Sequence, residues 1–177
     1  MTPRVRGLVL VSLVVVGLFS FGEGARIYAK AILAQLLLQN AWSQTRAGET
    51  KAKPWPWADT YPVARLEVPA LDTDMIVLAG ATGRTLAFGP AHLLSSAAPG
   101  DNDNMVITGH RDTHFAFLKD IKIGELIFLE TSDGNHHHYR VSQIDIVHQS
   151  EMTVTRRDGI KRLTLITCYP FDAIIPG

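Results

Sequence analysis

The chain opens on an unbroken apolar run and continues, past a proline-rich stretch, into short alternating segments. Between Gly7 and Gly22 there is no charged residue, and Arg4 and Arg6 stand just before the run. As a helix at about 1.5 Å per residue this stretch spans roughly 24 Å, somewhat short of a bilayer core of about 30 Å. Flanking residues and a continuing helix make up the difference, and the arginines favour a cytoplasmic N-terminus with everything after Glu23 exported. A cleavable signal peptide is the rival reading, because "AKA" at Ala29 to Ala31 has a small-x-small form. That site lies far beyond the apolar run and contains Lys30, which favours an uncleaved anchor over residues 1–24.

From Ala25 onward, Ile27, Ala31, Ala34, Leu38 and Trp42 recur at helical spacing, so residues 25–46 are expected to form a stalk helix. Leu33, Leu36 and Leu37 widen its apolar face. Residues 47–62 carry Pro54, Pro56 and Pro62, cannot continue a helix, and read as a linker whose Trp55 and Trp57 can dock on a folded domain. After this linker the pattern changes to "VARLEVP", "DMIVLAG", "NMVITGH", "ELIFLET", "HHYRVSQIDIV" and "RLTLITC", each bounded by Gly, Pro, Asp or Asn. A tight turn at "TSDGNHH" predicts a hairpin, and "THFAFLKD" predicts single helical turns. Residues 63–177 are therefore expected to form a mostly antiparallel β domain with short helices, closed as a barrel to hide its edges. No internal repeat interrupts this pattern.

Composition narrows the function. The 17 Lys and Arg balance 17 Asp and Glu, so no nucleic-acid footprint is apparent. The one cysteine cannot form an internal disulfide, which leaves the Cys168 thiol to be explained. A buried cysteine is ordinarily a small hydrophobe, and a histidine at a strand end is ordinarily a loop cap. Here Cys168 closes "LTLITC" and His110 closes "NMVITGH", each at the end of a predicted strand, and a fold can bring such a pair together from distant sequence positions. Alternation sets Leu163, Leu165 and Thr167 on one face and Thr164, Ile166 and Cys168 on the other.

"TLITC" preceded by "ITGHRDTHF" resembles the sortase family of cysteine transpeptidases, whose signature is a TLxTC strand and an upstream GH loop. The N-terminal anchor, "AKAILAQLLLQNAW", "KPWPWADTYPVARLEVP", "LAGATGRTLAFGP" and "TCYPFDAIIPG" are similar to the Gram-negative type, the class GN sortases. The resemblance implies a sortase-like β-barrel with Cys168 as nucleophile and His110 as general acid and base, and no cofactor or metal. It further implies a single-pass protein of the inner membrane with its catalytic domain periplasmic. The implied substrate is a protein with a C-terminal LPXTG-like sorting signal, for which a von Willebrand type A domain protein is a candidate; the acceptor amine is left open.

Sortases also use an arginine on the strand after the cysteine, an oxyanion donor of a kind worth about 2.7–4 kcal/mol. The segment "YPFDAIIPG" has none, and Arg111 is the nearest replacement by location. The sequence is accordingly expected to stop before the last barrel strand, leaving an open edge beside Cys168 and a poorly active chain. A peptide-binding module that does not cleave, and a general cysteine protease, are the alternatives. His136, His137 and His138 invite a metal reading, but neighbours on a strand point to opposite faces, so an exposed hairpin is expected. Asp101 and Asp103 are read as a polar turn, Asp112 as a partner of His110 or Arg111, and His114 as a loop or core residue.

Overall fold

A computed structural model of the chain describes residues 3–151 and 153–173. The chain divides into two units, Met1–Leu36 and Leu37–Gly177. The first is helical throughout its described residues, as the N-terminal part of α1 (Pro3–Arg46). Its side chains at Leu10, Leu13, Val16, Phe19 and Phe21 are all exposed. By length and composition α1 is able to cross a membrane, with a mean hydropathy of 2.2 in its most apolar window.

In the second unit the last turns of α1 present Leu38, Ala41 and Trp42 on one face, the i, i+3, i+4 spacing of a packed helix. Leu38 and Trp42 pack against Ile76 and Leu78, with Phe88 at the margin. Arg46 ends the helix in an ion pair with Glu130 at 2.9 Å. Trp55 docks edge-on against Phe88 with ring centroids 4.8 Å apart, while Trp57 stays exposed.

Among the described residues, seven strands come after the linker: β1 (Pro62–Val68), β2 (Thr73–Ala79), β3 (Ala91–His92), β4 (Asn104–Thr108), β5 (Leu126–Thr131), β6 (His136–Arg140) and β7 (Arg162–Ile166). A short helix α2 (Gly83–Leu86) lies between β2 and β3, capped by the Thr82 side chain. The sheet order is β6-β5-β1-β2-β3-β4-β7. Period-2 alternation explains the core: Ala64, Leu66 and Val68 of β1 and Ile127 and Leu129 of β5 point inward with Val77, Met105, Ile107 and Phe115. Leu163 and Leu165 pack on the same cluster, so the predicted facing of β7 is the observed one.

The sheet curls into a nearly closed barrel. Its end strands approach where Lys161, just before β7, lies 3.2 Å from His137 Nδ1 of β6 and donates to Gly100 O at 3.4 Å. The β5–β6 hairpin forms at the predicted turn, with Thr131 N–H donating to Asn135 O.

Three features differ from the sequence expectation. Antiparallel pairing predominates, but β2 with β3 and β4 with β7 are parallel. The β4–β7 pair is reached only after the intervening β5–β6 hairpin, the long connection that parallel strands need. β3 was not expected, since two residues carry no alternation. The segment predicted to run as one strand to Val147 keeps ladder pairing only to Arg140, with Val141 bonding to Gly124 and Glu125. Past Val141 the alternation persists without a neighbouring strand among the described residues, and Ile144 and Ile146 are exposed.

Candidate active site

The parallel β4–β7 ladder pairs Asn104 with Arg162, and so on to Thr108 with Ile166. Two further bonds extend it: Gly109 N–H donates to Ile166 O at 3.1 Å, and Thr167 Oγ1 donates to Gly109 O at 2.8 Å. The offset of 58 residues in that last contact is also the spacing of His110 and Cys168. The next residue of each chain is therefore the histidine on one side and the cysteine on the other, on backbones that in a sheet run about 4.7–4.9 Å apart. Both are exposed. Cys168 is thus an accessible thiol two positions past the strand, rather than a core hydrophobe.

His110 is held from behind. Phe115 N–H donates to His110 O at 2.9 Å and Thr113 N–H at 3.4 Å, closing a tight turn directly after the histidine. That turn folds the buried Phe115 ring over Gly109, where a Cβ would lie 2.8 Å from Phe115 Cγ. Position 109 requires glycine because the ring occupies the space of any side chain. Phe115 in turn meets Phe117 edge-to-face at 5.7 Å between centroids.

Arg111 follows His110 and is buried, at 5% exposure. Its Nη1 donates to Pro170 O at 2.8 Å and its Nη2 to Ala173 O at 2.9 Å, both on the segment leaving Cys168. Its Nε meets the exposed Asp112 carboxylate at 3.3 Å. Both terminal nitrogens of the residue that sequence location offered as an oxyanion partner thus donate to main-chain carbonyls. Asp112 pairs with Arg111, one of its two expected roles. His114 is half-buried, and burial, with a smaller contribution from the His110 charge, lowers its pKa below the ordinary histidine range.

The far end of the strand pair is anchored by residues the sequence reading undervalued. Asp103 Oδ2 accepts Arg157 Nε at 2.9 Å, while Oδ1 accepts the backbone N–H groups of Asn104, Asp158 and Gly159 at 2.8, 3.0 and 3.1 Å. The Arg157 contact first, then those amides, hold this carboxyl well below the usual carboxylate range. Asn104 has no exposed surface; its Nδ2 donates to Val154 O and Arg156 O at 3.0 and 3.2 Å, and its Oδ1 accepts Thr164 Oγ1 at 2.6 Å. These contacts tie the segment before β7 to the start of β4. The signal for them was the run "DNDN", read only as a turn; Asp101 does make such a turn, accepting Ala98 N–H at 3.3 Å. In the histidine run, His138 stacks edge-on with Phe128 at 4.7 Å, and His137 meets Lys161. Another buried polar group, His92, donates from Nε2 to Ala97 O at 2.8 Å beside Ser96 Oγ at 3.2 Å. Ser96 Oγ itself donates to Leu93 O and accepts Val106 N–H, so this pair ties β3 to β4.

The sequence profile of the sortase domain matches residues 66–176. Over 110 residues the chain is 29% identical to Sortase D of Bacillus subtilis (strain 168), covering 62% of this chain and 55% of that one. It is also 29% identical over 110 residues to Sortase A of Listeria monocytogenes, covering 60% of this chain and 49% of that one. The chain spans about half the length of these curated relatives. Among solved structures, Sortase A from Corynebacterium diphtheriae is similar with a TM-score of 0.60 and 31% identity, over 66% of this chain and 57% of that one. Sortase A of Listeria monocytogenes superposes with a TM-score of 0.58 and 26% identity, over 63% of this chain and 79% of that one.

Proposed function

The chain belongs to the sortase family, and from that premise we propose that it is a cysteine transpeptidase with Cys168 as nucleophile and His110 as the proton-carrying partner. The observation that supports the reading is the β4–β7 register, continued past both strands by the Gly109–Ile166 and Thr167–Gly109 bonds to the positions just before His110 and Cys168. The thiolate is the reactive form of cysteine. Cys168 Sγ attacks the carbonyl carbon of the scissile peptide bond, forming an S–C bond and a tetrahedral oxyanion. Collapse breaks the C–N bond, and protonated His110 gives its proton to the departing amine. The product is a thioester between Cys168 and the upstream part of the substrate. An acceptor amine then attacks the thioester carbon, loses a proton to His110, and releases Cys168 with a new peptide bond in place.

The substrate is a protein with a C-terminal LPXTG-like sorting signal, for which a von Willebrand type A domain protein is one candidate. The anchor is the apolar part of α1, with Arg4 and Arg6 on the cytoplasmic side and the barrel outside the inner membrane; its exposed apolar side chains support this. The Gram-negative type rests on segments such as "KPWPWADTYPVARLEVP" and "LAGATGRTLAFGP". The test is cleavage of a quenched LPXTG peptide by the full chain in detergent, with and without hydroxylamine as acceptor. Hydroxamate product that disappears in Cys168→Ala and falls about 10²–10⁴-fold in His110→Ala supports the proposal. Cleavage that survives Cys168→Ala sinks it.

A further inference from the structure

Ladder pairing of β7 ends at Ile166, and Thr167 makes the last contact with β4 before Cys168. Among the described residues, the backbone that leaves the cysteine is fastened instead by one side chain. Arg111 Nη1 and Nη2 grip the carbonyls of Pro170 and Ala173, on either side of Phe171 and Asp172, at 2.8 and 2.9 Å. We propose that Arg111 is a positioning residue for the reaction assigned above: it clamps the chain beyond Cys168 to the residue adjoining His110, and so fixes how the thiol meets the imidazole. The inference rests on the reading of Cys168 and His110 as the reacting pair.

The chemistry of the side chain suits this task. A guanidinium is planar, permanently charged and forked, so two donors reach two acceptors in a set geometry; an ammonium is a point charge without that fork. A charge buried to 5% exposure is costly unless its hydrogen bonds are made, so the carbonyls it holds are held firmly. His110 lies on one side of this clamp along the chain and Cys168 on the other. Releasing it frees the strand end that carries the thiol while leaving the β4–β7 ladder and the Gly109–Phe115 contact intact.

Cys168 is the only cysteine, so alkylation by iodoacetamide reports on it alone and needs no peptide turnover. The experiment measures that rate at one pH in the full chain in detergent, for wild type, His110→Ala, Arg111→Lys, Arg111→Gln and each Arg111 variant combined with His110→Ala. Each protein is assayed well below its own Tm, so stability alone does not move the result. Positioning predicts that His110→Ala changes the rate by about fivefold or more in wild type and by less than about twofold in both Arg111 backgrounds. An unchanged His110→Ala factor in the Arg111 variants overturns the positioning role. So does a factor kept in Arg111→Lys and lost only in Arg111→Gln, which would assign the effect to charge rather than to the fork. No effect of His110→Ala in wild type would overturn the reading of the reacting pair, and the positioning role with it.

Discussion

Substituting Gly109 by alanine tests how the fold holds His110. The new Cβ would lie 2.8, 2.9 and 3.0 Å from Cγ, Cδ1 and Cδ2 of Phe115. Carbon atoms settle at about 3.5–4.0 Å, so the overlap is with a rigid ring rather than with a flexible chain end. Phe115 is fully buried in the main core, which leaves it little room to retreat. Overpacking of this kind costs about 1–3 kcal/mol. Removing glycine from the unfolded chain returns about 0.4–1 kcal/mol. The net loss is therefore about 0–2.6 kcal/mol, with a Tm lower by about 2–4 °C per kcal/mol for a chain of this length. Thermal unfolding of the full chain in detergent, followed by tryptophan fluorescence, measures it. The control is Phe115→Ala, which removes Cγ, Cδ1 and Cδ2, the atoms that the new methyl would meet. In that background Gly109→Ala is expected to stabilise by about 0.4–1 kcal/mol, giving a coupling of about 1–3 kcal/mol. Equal costs in both backgrounds would refute the argument that the ring dictates glycine here.

Two further predictions concern the anchor below the site. Asn104→Ala leaves the Val154 and Arg156 carbonyls and the Thr164 hydroxyl without their partner, and should cost about 1–3 kcal/mol in chemical denaturation; a change under about 0.5 kcal/mol contradicts the role given to it. Asp103 has a folded pKa below its unfolded value, so its contribution is fully present above pH of about 3.9 and is lost as pH falls through the folded value. Wild type should therefore lose Tm more steeply than Asp103→Asn below about pH 4, and parallel curves for the two proteins would remove Asp103 from the account.

The fold was legible where the pattern is local. "RLTLITC" alternates so regularly that the shared face of Leu163 and Leu165 is set by spacing alone, and "TSDGNHH" announces its hairpin. Pairing was not legible, because nothing in "NMVIT" says that its neighbour is β7 or that the two run parallel. The stretch after Arg140 shows the same limit from the other side: alternation describes a strand's faces but does not supply the strand's partner. At the site, His110 and Cys168 stood out by residue type and by position at strand ends. Arg111 was conspicuous too, yet its partners lie 59 and 62 residues away, and only the fold reveals that they are main-chain carbonyls. Gly109 and Phe115 were visible as letters in "GHRDTHF", but the close approach that makes glycine obligatory exists only once the turn after His110 has closed.

The most direct test of the central claim is the intact mass of the full chain after incubation with an LPXTG peptide and no added acceptor, for which a single turnover suffices. The account predicts an added mass equal to the upstream acyl fragment, located on Cys168 by peptide mapping and released by hydroxylamine, with no such adduct in Cys168→Ala. Peptide cleaved without any acyl adduct on Cys168, or an adduct on another residue, would contradict it.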